Sequence, residues 1–189
     1  MALYNLFDLA EPAYLLNGVL MPADGGPAEI AQAGGGVVTL PAEFRHPLRY
    51  FSRLRLRSEA LASGSGSGID AADLDAMTRS GILWQLEPGD AAALAGQLAT
   101  LRLHVRAPLA ADQNRPGLIV LDLGDGAACL ISEAGRVLLE RTPGRELGAV
   151  VGDEIQTTGA APAVVWRRVA GDLTRLLRTG AAAATARAL

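Results

Sequence analysis

Two histidines, one cysteine and three close pairs of carboxylates are the residues of this chain whose types could move a proton, hold a metal or attack a carbonyl: His46, His104, Cys129, Asp73/Asp75, Asp122/Asp125 and Asp153/Glu154. Paired carboxylates hydrolyse glycosides when their surroundings push one to the acid form and leave the other ionised. Each of these pairs instead reads as part of a turn or a helix start, where Asp and Glu bond the local backbone. His104 lies between Arg102 and Arg106, which disfavour the imidazolium and offer a metal no second ligand. Cys129 alternates with apolar neighbours in AACLIS and has no basic activator beside it, so it reads as a small buried hydrophobe. No catalytic residue, metal or cofactor is assigned from this set.

The arginines are more distinctive. In RYFSRLRLR, Arg53, Arg55 and Arg57 alternate with Leu54 and Leu56, and in QLATLRLHVRAP, Arg102, His104 and Arg106 alternate with Leu101, Leu103 and Val105. A period of two predicts half-buried strands with one cationic face. Three guanidinium groups on one side repel unless they are solvated, paired with acids such as Glu59, or turned toward an anion. Arg53, Arg55, Arg57, Arg102 and Arg106 are therefore the candidate binding residues, for an anionic ligand, while Trp84 and Trp166 offer faces on which a sugar could stack.

The run IVLDLGDGAACLISEAGRVLLERTP, residues 119–143, places an Asp at a strand end before a Gly-x-Gly turn. It resembles the first phosphate loop of the sugar-kinase, Hsp70 and actin superfamily, with Asp122, Gly124 and Gly126 in the matching places. That resemblance implies a phosphate held by backbone N–H groups and a carboxylate on a hydrated metal. It covers this run alone, no second phosphate loop is visible, and the plainer reading is a tight hairpin. The alternation around ILWQLEPGD and VVWRRVAGDL also resembles β-sandwich modules of bacteriophage tail and adhesin proteins.

The elements that must position these residues read mostly as short strands. Asn17-Gly18, between AYLL and VLMP, predicts a hairpin, because both residues tolerate positive φ. VVTLP, ILWQL, LATLRLHV and GLIVLDLG read as strands, and AACLISEAGRVLLERTPG reads as a hairpin about Glu133-Ala134-Gly135. IDAADLDAMTRSG predicts a helix with Asp70 as N-cap and Gly81 as its stop. Residues 163–178 fit either a helix or two strands broken at Gly171, and the cost of a mid-helix glycine favours strands. The expected fold is mainly β: a sandwich or barrel-like domain of short antiparallel strands with one to three short helices.

Residues 1–36 are read as an N-terminal docking arm, whose Leu3, Leu6, Phe7 and Ala10 form an apolar stripe; 37–180 as one β-rich domain; and 181–189 as an Ala-rich tail. The Ser/Gly stretch near 62–69 reads as a mobile loop within that domain rather than a tether.

Composition bounds the function. Half of the 189 residues are hydrophobic, enough to fold, and a formal net charge of −3 supplies no general attraction to nucleic acid or an anionic membrane. All 17 basic residues are Arg. The N-terminus lacks the basic and apolar regions of a signal peptide, which predicts synthesis in the cytoplasm. The function expected is that of a non-enzymatic structural or binding protein in a homo-oligomer or larger assembly, such as a bacteriophage virion or tail. The alternatives are a cytoplasmic module for an anionic or carbohydrate ligand, or a small metal-dependent enzyme using the Asp122/Asp125 loop.

Overall fold

The fold is built around one four-residue strand. β1 (Ala13–Leu16) is AYLL, apolar throughout and buried at every position. Alternation sends Ala13 and Leu15 into one hydrophobic core and Tyr14 and Leu16 into a second, so the strand is a partition with no wet face. The computed structural model describes residues 5–22, 26–32, 35–62, 68–106, 109–111, 118–124 and 127–186.

The elements between β1 and residue 86 enclose the smaller core. β2 (Val19–Leu20), β3 (Ala28–Ala31) and β4 (Val37–Leu40) make an antiparallel sheet in that order, and Ala28 and Ile30 face inward from its middle strand. α1 (Arg45–Phe51) contributes Leu48 and Phe51. β5 (Arg55–Leu56) pairs with one edge of β1, and α2 (Arg57–Leu61) adds Ala60. α3 (Ala71–Arg79) starts on the Asp70 N-cap, whose carboxylate accepts from the Asp73 N–H, and inserts Leu74 and Met77. β6 (Leu83–Leu86) then returns to pair with the other edge of β1.

The larger core lies on the opposite face of that sheet. α4 (Ala91–Ala99), capped by Asp90, leads into β7 (Leu101–Val105). β8 (Leu109–Ala111), β9 (Leu118–Gly124) and β10 (Ala127–Ser132) form a second antiparallel sheet with β9 central. α5 (Glu133–Arg141) and α7 (Pro162–Thr179) pack against it, α6 (Leu147–Thr158) packs against α4, α7 and β7, and α7 buries Val165, Val169, Leu173, Leu176 and Leu177 at helical spacing. β11 (Ala182–Ala186) pairs antiparallel with β7 along its whole length and is buried throughout.

Among the described residues there are seven α-helices, and no sheet has more than three strands or closes on itself, so the expected β-sandwich or barrel is corrected to a helix-rich α+β fold. The arginine-rich run is one source of the error: only Arg55 and Leu56 are extended, while Arg45–Phe51 and Arg57–Leu61 are helical. Residues 163–178 lie inside the single helix α7, because its apolar stripe is buried and outweighs the roughly 1 kcal/mol cost of Gly171. The Glu133-Ala134-Gly135 turn is instead the first turn of α5, whose N-cap Ser132 accepts from the Gly135 N–H at 3.0 Å.

Asn17-Gly18 does not close a hairpin either, since β1 and β2 belong to different sheets. Gly18, at φ +146°, bends the chain between them where a Cβ would stand 2.5 Å from the Ala31 carbonyl oxygen. Asn17 ties the bend down: its N–H donates to Ile82 O at 2.9 Å, its amide donates to Gly81 O at 3.1 Å, and its side-chain oxygen accepts from Ala186 N–H at 2.8 Å. Residues 182–186 of the segment expected to be an Ala-rich tail thereby form a core strand, and 187–189 lie outside the described residues. No helix among the described residues is long and apolar enough to cross a membrane.

Candidate functional site

A cavity bordered by polar side chains opens where β6 lies at the edge of its sheet. Gly81, at φ +72°, ends α3 and turns the chain into β6. Residues 87–90, which form no hydrogen-bonded turn, then lead into α4, and Gln97 of that helix bonds the Glu87 backbone beside the strand. Between β6 and α4 lies a groove of about 790 Å³, walled by Thr78, Arg79, Ser80 and Gly81 at the end of α3 and by Ala93, Gly96, Gln97 and Thr100 of the α4 segment. Leu83, Trp84 and Gln85 line it from β6, and Asn17 and Ala186 from the junction of β1 with β11. The small Ala93 and Gly96 leave room on the helix side; a Cβ at Gly96 would meet nothing within 4 Å.

The hydrogen bonds of the lining define which groups are still open. Asn17 is engaged through both its amide nitrogen and its oxygen, and the Ser80 and Thr78 hydroxyls donate back into α3, to Met77 O at 3.0 Å and Leu74 O at 2.8 Å. Gln97 clasps the backbone of Glu87, accepting from its N–H at 2.9 Å and donating to its carbonyl at 3.2 Å. Arg79 is exposed and makes no hydrogen bond or ion pair with any described residue, and its guanidinium is an uncommitted cation at the groove's rim. Trp84 is partly buried against the larger core and turns an apolar surface to the cavity.

The five arginines singled out from the sequence are dispersed. Arg53 stacks its chain against Gly180, and Arg55 lies 4.3 Å from the Tyr50 ring centroid. Arg57 donates to the Tyr14 hydroxyl at 2.9 Å and faces Asp75 at 3.8 Å. Arg102 faces Glu146 at 3.6 Å, while Arg106 donates its backbone N–H to Ala181 O. Arg102 lies on β7 and Arg106 directly follows its end, apart from the Arg55 and Arg57 pairings.

Other candidates have structural duties. Asp73 completes a capping box with Asp70, Asp153 pairs with Arg145 at 2.7 Å, and Glu154 is held between Arg141 and Arg168 at 3.4 and 3.1 Å. Cys129 is buried in the larger core, and burial pushes its thiol up from the ordinary range. In the loop that resembled a phosphate cradle, Asp125 and Gly126 lie outside the described residues; Asp122 faces Ala128 across the antiparallel β9–β10 ladder. No cluster of metal-ligating side chains occurs among the described residues.

The Ser/Gly stretch at 63–67 also lies outside the described residues, but α2 before it and α3 after it both insert into the smaller core. Of the N-terminal stripe, Leu3 is outside the described residues, Leu6 is buried in the larger core, Phe7 packs against it and Ala10 is exposed. Sequence reasoning missed the groove because its polar groups come from four separate places in the chain: Asn17, the end of α3, β6 and the α4 segment. The EPGD segment and the Gly81 stop, which together set β6 beside α4, were its only local traces. Compared with protein-family models, curated proteins and solved structures, the chain matches none of them.

Proposed function

We propose that this chain is a binding protein whose ligand occupies the groove between β6 and α4. The observation that supports the reading is the chemistry of the lining: a guanidinium without a partner among the described residues, amide and hydroxyl groups, and one indole, with no carboxylate, imidazole or thiol among the described lining residues. Such a set recognises by hydrogen bonding, charge and apolar contact, and has no group of a pKa suited to shuttling a proton near neutrality. Its concavity and mixed polarity are those of ligand sites, and Arg79 favours a ligand that carries negative charge at that end.

The test is a thermal-shift and NMR screen of the whole chain against inorganic phosphate, short-chain dicarboxylates, neutral oligosaccharides and acidic peptides. A groove ligand is expected to move the amides of residues 79–85 and 96–100 and to weaken in Arg79→Ala. If every ligand that binds moves amides elsewhere and ignores Arg79, the groove is not the site.

A further inference from the structure

Resting on the groove reading, we infer that the ligand is an extended polypeptide segment that adds as a strand to the free edge of β6 and places an acidic side chain against Arg79. The register of the β1–β6 ladder decides which backbone groups of β6 face that edge. Asn17 donates its N–H to Ile82 O, and the antiparallel pairs run Leu16 with Leu83, Leu15 with Trp84, Tyr14 with Gln85 and Ala13 with Leu86. Hydrogen-bonded pairs alternate along such a ladder, so Ile82, Trp84 and Leu86 turn their backbone groups toward β1. Leu83, Gln85 and Glu87 turn theirs away.

Of these three outward residues, Glu87 already has a substitute for a strand. The Gln97 side-chain amide gives it one donor and one acceptor, as a neighbouring peptide unit would. At the other end, Gly81 O is taken by two more side-chain amides, Asn17 and Gln32, both at 3.1 Å. Between these bracketing amides, the N–H and C=O groups of Leu83 and Gln85 have no partner among the described residues, and they border the groove. A row of unpaired backbone groups is a template for one more strand. The two ends of the edge supply the polarity: Arg79 lines the groove at the Gly81 end, and Glu87, outside the lining, follows β6 at the other, so an incoming segment is acidic at the first and basic or neutral at the second.

The experiment selects binders from a displayed library of short linear peptides on the whole chain, then measures the recovered peptide by calorimetry, N-methyl scanning and hydrogen exchange. Strand addition predicts that N-methylation abolishes binding at every second peptide residue and is tolerated between, that the Leu83 and Gln85 amides become slow to exchange in the complex, and that Arg79→Ala weakens the peptide by about tenfold at low salt. Gln85→Pro, which removes an outward N–H on an edge strand together with the side-chain amide that donates to Glu87, is expected to keep the fold and lose the peptide, while Gln85→Ala, which keeps the N–H, retains it. Recovery of no peptide overturns the inference while leaving the groove open to small ligands. A peptide sensitive to Arg79→Ala, yet with an N-methyl scan lacking the alternation, overturns strand addition alone. A peptide indifferent to Arg79→Ala and Gln97→Ala overturns the groove itself. Slow exchange at Leu83 and Gln85 in a self-associated state of the free protein assigns the edge to a second copy and overturns it as well.

Discussion

Glu59 and Arg178, separated by 119 residues in sequence, are joined by two parallel hydrogen bonds, Nη1 to Oε2 at 2.6 Å and Nη2 to Oε1 at 2.7 Å. The pair fastens α2, which serves the smaller core, to the last turn of α7, which serves the larger one. Burial works to raise the Glu59 carboxyl, but the Arg178 hydrogen bonds and the Leu56 N–H, with the charges of Arg178 and Arg55, outweigh it and hold the group below its ordinary value of 4.5. Its stabilisation is therefore complete above that value and is lost as pH falls through the lower folded value. Glu59→Gln should cost about 1–2 kcal/mol in urea unfolding at pH 7, given a partly exposed bidentate pair, and the gap from wild type should close on acidification. A gap unchanged from neutral to acid pH would show that the pair's charge contributes nothing.

The same substitution should have opposite signs one turn apart on α6. A Cβ at Gly148 would lie 2.8 Å from the Ala99 Cβ and 3.1 Å from its carbonyl oxygen, so the helix touches the end of α4 there through bare backbone. At Gly152 a Cβ meets nothing within 4 Å. Gly152→Ala should stabilise by about 0.5–1 kcal/mol, and Gly148→Ala should destabilise by about 1–3 kcal/mol as α4 and α6 are pushed apart. Melting temperatures of the two variants decide it.

A buried aspartate organises the start of α5. Asp172 on α7 accepts from the Ser132 N–H at 3.1 Å and from its hydroxyl at 2.6 Å, while Gly135 approaches so closely that a Cβ would be 2.6 Å from Oδ2. Asp172→Ala should cost about 1–3 kcal/mol by stranding these donors, and Gly135→Ala a similar amount by overpacking. The double variant should cost less than the sum, because the new methyl enters space the carboxylate has left. Strict additivity in a double-mutant cycle would refute the shared contact.

His104 supplies a pH dependence near neutrality. Its Nε2 lies 3.1 Å from the Thr185 hydroxyl, joining β7 to β11, and burial first, then the charges of Arg106 and Arg102, lower it from the usual 6.5. The unfolded chain thus binds the proton more readily than the folded one, and stability falls as pH drops below 6.5 toward the folded value. His104→Gln should flatten that slope in denaturant titrations between neutral and mildly acid pH. An unchanged slope would place its origin elsewhere.

Legibility in the sequence tracked the distance over which each element is determined. Asp70 and Gly81 bounded α3 correctly, and VVTL, ILWQL, LRLHV and IVLDLG are strands, because caps and period-two patterns act within a few residues. α5 went unrecognised, and the helix reading of α7 was outweighed by two strands, because their stabilising contacts are remote: Gly135 is read as a turn until Asp172 is seen against it, and Gly171 as a break until its helix is packed on the larger core. α4 was hidden by its Ala and Gly content, which carries little amphipathic signal. The groove was less legible still, since Arg79, Trp84 and Gln97 are neighbours only after β6 has paired with β1.

The junction of Asn17 with Ala184 and Ala186 has a consequence for how the protein is made. A chain emerging from the ribosome can assemble the smaller core once β6 is out, since all of its strands and helices precede that point. The larger core cannot close until β11 arrives, because Ala181, Ala182, Ala184 and Ala186 fill its interior and the Asn17 side chain waits for the Ala186 N–H. Closure at so great a sequence separation is slow. Nascent chains halted before residue 182 would therefore expose the apolar faces of α4 and α7, and their recruitment of chaperones during translation should end when the alanine strand clears the exit tunnel.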